Sequence, residues 1–489
     1  MNISNPQKGN KTLYKNYAFN SIYQLLILII PLFLTPFITR VLGPENIGQY
    51  SFTRSIVTYF VLFGTVGSNM YAQREIAYAG SNEQKRSLVF WEILAIRCIL
   101  LGISLIAYLY FAVYKGRYPL LFLIQVSDIV AAMVDVTWYF QGTEKFGVIT
   151  LRNAVMKIAS AVLIIATVHA PDDLWIYVLI YSGGSLVGQL WMWKDIVGNI
   201  TSVSAHQICL QRHLKGIAQL FIPQVAIQVY LVIDKTMIEL LTGDSAQTGY
   251  YELAQTVQRT GVTIVTAFGT VAASRIAALK STQDSKAISG LLTQSYELVC
   301  LTAVPIALGI GAIAQNFIPW FLGNGYIPVI QLLILLCPLI IIIGFSNISG
   351  IQYMVPMGLQ NQMTASTLIG AAVNVFLNLL WIPKYGAVGA AIASIISECV
   401  VMLIQGFCIR NVIIKTDVMK SFCQAILSGS IMVLAVKMTE RTWLGASTFT
   451  NTLILIVEGC IVYVGLQLAF KNRILRKLLK KFSFNRYSD

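Results

Sequence analysis

Six basic side chains lie inside stretches of sequence otherwise apolar enough to cross a bilayer: Arg54, Arg97, Arg152, Lys157, Lys235 and Arg259. A Lys or Arg at mid-membrane costs about 2.5–3.5 kcal/mol on insertion scales, so six of them facing lipid is implausible. They should face one another, a carboxylate or a water-filled cavity. Snorkelling from a span end, or a fixed ion pair, is the plainer alternative. The chemistry such a set offers is anion recognition, and Arg suits phosphate because its planar fork donates two parallel hydrogen bonds. Asp128 and Asp135 are seven apart and so share one face of a helix. They can neutralise Arg97, Arg152 or Lys157, or carry a coupling proton or cation. Arg97 also follows Glu92 by five residues, so a structural pair with an acid competes with a substrate role. Arg152 and Lys157 are spread by about 140° at ~100° per residue, with Lys157 the deeper. Asp234 and Lys235 are adjacent, so their side chains diverge on a helix. Glu398 and Glu458 are lone acids within spans.

The elements that must position these residues are membrane helices. The 489 residues are 56% hydrophobic and 11% charged, where a soluble chain carries about a quarter charged residues. Apolar runs of about 20 residues predict fourteen spans: 17–40, 48–73, 88–113, 119–141, 147–168, 174–193, 216–241, 249–274, 288–314, 327–355, 364–382, 387–409, 418–436 and 447–470. Pro31, Pro36, Pro223, Pro305 and Pro338 interrupt them. Residues 1–15 are polar and basic with no small-residue cleavage site after them, so the expectation is insertion rather than export.

Net charge is +14, from 35 Lys+Arg and 21 Asp+Glu. With both termini cytoplasmic, the inner segments hold 23 basic residues. The outer loops hold six: Arg40, Lys115, Arg117, Lys384, Lys437 and Arg441. That asymmetry is the positive-inside signal, and it removes nucleic acid as the explanation of the charge. Eight scattered cysteines with no CxxC pair form no disulfide framework and read as small core hydrophobes. The stretch HQICLQRH (His206, Cys209, His213) has ligand-like spacing but only three ligands, so no metal is expected there. The tail KNRILRKLLKKFSFNR (471–486) reads either as an amphipathic helix on anionic headgroups or as topogenic charge alone.

The segment Gly48 to Arg74 lies over Gly249 to Arg275 at a constant offset of 201, with identities at Gly48/Gly249, Tyr50/Tyr251, Thr65/Thr266, Ala72/Ala273 and Arg74/Arg275. Both copies run from outside to inside, so the repeat is parallel. The fold class expected is all-α and polytopic, with two six-helix lobes (1–193 and 216–412) joined by a linker at 194–215. Spans 13 and 14 follow in 413–470, then the tail at 471–489. Parallel-repeat transporters place substrate between such lobes. Under the repeat Arg54 lies over Gln255, one helical turn before Arg259, so these two arginines sit on equivalent faces of equivalent helices. A cavity pair requires that agreement and snorkelling does not.

Several stretches resemble the polysaccharide repeat-unit flippases (Wzx-like) of the multidrug/oligosaccharidyl-lipid/polysaccharide exporter superfamily. They are TPFITRVLGPENIGQYSF (35–52), REIA (74–77), WYFQGTEKFGVITLRNAVMKI (138–158), IDKTMI (233–238), TGYYELAQ (248–255), GFSNISGIQYMVPMGLQ (344–360) and PKYGAVGAAIASIISE (383–398). The resemblance implies two lobes in a V and a cationic lumen. It implies movement of undecaprenyl-diphosphate-linked oligosaccharide from inner to outer leaflet of the bacterial cytoplasmic membrane. Motif positions that match are Arg40, Arg54, Gln141, Gly142, Glu144, Arg152, Asp234 and Lys235. Joined to the basic residues within spans, with Arg259 carried on the repeat, these give the expected substrate-binding set Arg54, Arg259, Lys157, Lys235, Arg152, Arg40 and Arg97, with Asp128, Asp135 and Asp234 as counter-ions or ion-coupling groups. No cofactor is expected beyond proton or sodium coupling. The partners expected are the anionic lipid-linked oligosaccharide, membrane lipids, and a polysaccharide polymerase and glycosyltransferases.

Two neighbouring readings keep the fold. A cation-coupled drug exporter wants an acid-dominated cavity, against which the basic surplus argues; a lipid II flippase differs only in cargo. A membrane polymerase or ligase needs a sizeable outer loop, and the longest here, 315–326, is too short. No G-x-S-x-G elbow or Walker A motif is present.

Overall fold

The computed structural model describes residues 6–65, 67–114, 116–281, 284–413, 418–443 and 446–476. Among them every regular element is helical, and the chain divides into two compact units, Met1–Thr236 and Met237–Asp489. Eleven helices in the described residues are long and apolar enough to cross a membrane, and each of the fourteen expected spans falls on helix.

The first unit runs α1 (Pro6–Thr65), α2 (Ser68–Ala79), α3 (Glu83–Tyr114), α4 (Pro119–Ile124), α5 (Val126–Met133), α6 (Thr137–Gly142), α7 (Phe146–Thr167) and α8 (Leu174–Val197), then enters α9 (Gln211–Thr242). α1 is two helices in one run, because Gly43 takes φ 77° and turns the chain. Glycine reaches that region without a Cβ penalty, and Pro44 starts the next helix where its missing N–H costs nothing. Pro31 and Pro36 stay inside helix, as does Pro305 further on, whereas Pro338 does sit at a break.

The second unit takes in the end of α9 and continues through α10 (Ser245–Thr266), α11 (Gly269–Ser281), α12 (Ser285–Phe321), α13 (Ile327–Leu336) and α14 (Pro338–Asn347). A seven-residue π-helix (Ile348–Met354) precedes α15 (Val355–Met357), α16 (Gln360–Tyr385), α17 (Ala387–Cys408), α18 (Arg410–Ile413), α19 (Val418–Trp443) and α20 (Phe449–Ala469).

The 201-residue repeat reappears in the element bounds. The helix ending at Thr65 resumes at Ser68; its counterpart ends at Thr266 and resumes at Gly269. Pro44 maps onto Ser245, the first residue of α10. Different chemistry makes the same turn: glycine–proline in one copy, and in the other Gly243 (φ 69°) followed by Asp244, whose side chain accepts the Ala246 and Gln247 N–H groups.

Two expectations are corrected. Span 4 is not one helix but α4, α5 and α6, so Asp128 in α5 and Asp135 in the break before α6 share no helix face. Residues 194–215 carry the expected linker. They belong to the first unit, and the division falls inside α9. The cause is a polar anchor: buried Glu92 accepts the Cys209 N–H at 2.8 Å and pairs with His213 Nε2 at 2.7 Å, while Trp91 Nε1 donates to the Thr201 carbonyl at 3.2 Å. For the same reason Glu92 is not the partner of Arg97. The expected tail helix at 471–486 lies mostly outside the described residues.

Apolar packing around these breaks is dense. Phe90, Ile93, Trp138, Tyr139 and Phe140 form one buried cluster, and Phe52, Leu101, Tyr108, Phe122 and Ile129 another. Gly142 is required by contact: a Cβ there would lie 2.7 Å from the Gln73 carbonyl oxygen and from Ile76 Cγ2. That close approach docks α6 on α2.

Candidate functional site

The break in span 4 creates the site. Helix α5 carries Asp128 against α1, where Arg54 Nη1 donates to both of its carboxylate oxygens at 3.1 Å. From α8, Ser182 Oγ donates to Asp128 Oδ2 at 2.7 Å. The carboxylate is 8% exposed and the guanidinium side chain 44%. One nitrogen is therefore committed, while Nη2 and Nε have no hydrogen bond to a described residue. A guanidinium held in this way is aimed without being saturated, the state in which it can grip a phosphate oxygen pair. One turn before Arg54 is Tyr50, whose ring meets Tyr177 at 5.0 Å and Tyr181 at 6.2 Å. Beneath, Gln125 Nε2 donates to Thr53 Oγ1 at 3.1 Å.

The second arginine–aspartate pair is of another kind. Arg97 is 1% exposed and bound on several sides: to Ser68 Oγ at 3.1 Å, to Asn69 Oδ1, to the Ala132 carbonyl at 2.8 Å and to Asp135 Oδ2 at 3.3 Å. Asp135 Oδ1 accepts the Thr137 N–H at 2.9 Å and so starts α6. This node ties α2, α3 and the span-4 break together and offers no surface to a ligand.

The remaining basic residues are placed singly. Arg152 Nη2 donates to Thr137 Oγ1 at 3.3 Å, and its stem passes 3.1 Å from where a Cβ on Gly188 would stand. Lys157 is half-buried on α7, with no hydrogen bond or ion pair to its amine among the described residues. Asp234 and Lys235 are both buried, beside Thr236, whose hydroxyl meets Tyr59 Oη at 2.9 Å. Arg40 is exposed. In the second unit Arg259 is half-buried on α10, next to buried Gln258.

The charge surplus is thus narrower than six. Asp128 neutralises Arg54, which had not been among its expected partners, and Asp135 neutralises Arg97. Reasoning from residues alone also passed over Ser182 and the three tyrosines, because a hydroxyl on a distant span carries no periodic signal. Glu239, buried on α9 with Ser245 and Thr248 hydroxyls donating at 2.8 and 3.1 Å, was detectable as an acid in an apolar run. His213 does not act with Cys209 and His206; its ring sits between Glu92 and Tyr71, 2.9 Å from the Tyr71 hydroxyl.

Non-helical backbone at membrane depth is tolerated where it is buried in protein or lines a cavity, and the span-4 break is flanked by the buried Arg97–Asp135 pair. The chain matches a solved lipid II flippase MurJ in its inward closed conformation with TM-score 0.77, covering 95% of this chain and all of that one at 16% identity. It matches an inward-facing multidrug resistance MATE family transporter with TM-score 0.58, over 85% and 96% of the two chains at 15% identity. Those likenesses establish the fold. Residues 13–279 match the polysaccharide biosynthesis protein family, and the chain belongs to that family as a multi-pass membrane protein. A protein of Escherichia coli (strain K12) named "Putative O-antigen transporter" is 24% identical over 410 residues, 82% of this chain and 97% of its own. One of the same name from Shigella dysenteriae is 21% identical over 386 residues, 77% and 94%.

Proposed function

We propose that the protein is a flippase for an anionic lipid-linked oligosaccharide. In this reading it moves undecaprenyl-diphosphate-linked repeat units from the inner to the outer leaflet of the bacterial cytoplasmic membrane, for surface polysaccharide synthesis. Both termini are cytoplasmic, as the loop charges require. The observation that carries the reading is Arg54: a half-exposed guanidinium, fixed by one nitrogen to Asp128 inside an apolar bundle, with its other donors uncommitted. The diphosphate meets that fork, assisted by Lys157, Lys235 and Arg152 of the same unit; Arg259 is the cargo-handling arginine of the second unit. Tyr50, Tyr177 and Tyr181 offer apolar faces and hydroxyls to a sugar.

Transport needs no covalent step. One site exposed alternately to the two sides, with different affinity in each state, is sufficient. Asp128 and Asp135 act as counter-ions, since each already accepts from an arginine and a second donor. A coupling role for either requires transport in vesicles to respond to an imposed proton or sodium gradient. The relatives' names favour a polysaccharide precursor over lipid II, whose flippase shares the fold at 16% identity.

Deleting the gene and weighing the lipid-linked intermediates tests the function. Complete repeat units accumulating on the inner leaflet, cleared by the wild-type gene and not by an Arg54→Ala/Arg259→Ala copy at equal membrane level, is the expected outcome. Unchanged surface polymer in the deletion strain rejects it.

A further inference from the structure

At one end of three spans in the second unit, the start of α12, the start of α19 and the turn after α20 enclose a cavity of about 590 Å³. Lys420, Lys471 and Arg473 line it against a single described acid, Glu297, with Gln294 and Ser421 adding neutral donors. None of the three basic side chains makes an ion pair or hydrogen bond with a described residue. Three cations around one hollow, with one described carboxylate among them, leave a net positive charge that an anion would offset.

The turn that presents two of them is firmly built. Asn472 Nδ2 donates to Gln467 Oε1 at 2.9 Å, and Gln467 Nε2 donates to Ser428 Oγ at 3.1 Å, all three residues being buried. The Lys471 N–H reaches the Leu468 carbonyl and the Asn472 N–H the Gln467 carbonyl, both at 3.0 Å, closing α20 with the two bonds of a Schellman turn. That motif puts its left-handed residue at position 471, where φ is 56°. Glycine is the residue it favours, yet lysine stands there. A side chain kept in a conformation that disfavours side chains points to work done by that side chain.

We propose that this cavity binds a phosphate-bearing anion, clamped by Lys420, Lys471 and Arg473. Placed where three spans leave the bilayer, it takes the headgroup of an anionic phospholipid; the same chemistry admits a soluble phosphate. The site belongs to the second unit alone and does not depend on the cargo proposed for Arg54.

Purified full-length protein in detergent is titrated with phosphatidylglycerol and phosphatidylcholine under native mass spectrometry, and with inorganic phosphate and glycerol 3-phosphate by calorimetry. Retention of phosphatidylglycerol over phosphatidylcholine, weakened about tenfold (about 1.4 kcal/mol) by Lys420→Gln/Arg473→Gln, is the expected result. Equal displacement by glycerol 3-phosphate assigns the site to a soluble ligand. Lys471→Gly guards against misfolding: it should unfold at a slightly higher temperature than wild type while binding less. Phosphatidylglycerol and phosphate binding unchanged in both variants overturns the site.

Discussion

Two arginine–aspartate pairs stand within one helical unit, and they differ in what surrounds them. Arg97 and Asp135 are sealed: 1% and 14% of the side chains are exposed, and every neighbour is a helix end that the pair holds in place. Arg54 and Asp128 share the same two residue types and a slightly shorter contact, but 44% of the arginine is open. A buried pair cannot be broken cheaply, because removing one charge strands the other where water cannot reach it. In the half-open pair only the arginine can turn to solvent or a ligand; Asp128, 8% exposed, keeps Ser182 as its other donor. The pairing itself therefore says nothing about role. The difference in exposure separates a clasp that keeps the fold from a charge that can meet a ligand.

The largest effect that tests this contrast falls on the sealed pair. Arg97→Ala leaves Asp135 uncompensated, and the expected cost is about 3–5 kcal/mol. It should appear as a large fall in thermal midpoint or as loss of folded protein from the membrane; near-wild-type unfolding would show that the node is not a clasp. Arg54→Ala leaves the buried Asp128 carboxylate with Ser182 as its donor and should cost about 1–3 kcal/mol while abolishing export of surface polymer, read by comparing melting and polymer in the same strain. Arg54→Lys keeps the charge but not the two-pronged donor, and export should fall between the two. Asp128→Asn is expected to leave Arg54 loosely held, lowering export more than stability. Ser182→Ala is the mildest: one hydrogen bond to a buried carboxylate, about 1–2 kcal/mol, with export reduced but present. Should Ser182→Ala match Arg54→Ala in export, orientation and not charge would be the controlling property.

Much of the architecture was legible in residues alone, and the limits of that legibility have physical causes. Length and hydropathy locate spans because lipid leaves backbone groups no partner but their own helix. The 201-residue repeat held to the level of single helix ends, Thr65 against Thr266 and Ser68 against Gly269. The turn at Gly43–Pro44 carries two residues with special backbone geometry. The break at Val134–Val136 carries no glycine or proline; it is held open by Arg97 and Asp135, which meet from spans 38 residues apart in sequence. With the break unseen, Asp128 and Asp135 read as neighbours on one face when they serve different arginines. Glu92 was lost in the same way, its partners His213 and Cys209 lying more than a hundred residues on. Ion pairs between spans are long-range facts, and spacing along a helix cannot reveal them.

The central claim is that Arg54 handles cargo and Arg97 handles structure. The most direct test reconstitutes the purified protein in vesicles with fluorescent lipid-linked repeat unit and follows its transfer to the outer leaflet. Wild type should transfer it, and Arg54→Ala, shown by its melting curve to be folded, should not. Transfer by folded Arg54→Ala at the wild-type rate would contradict the account.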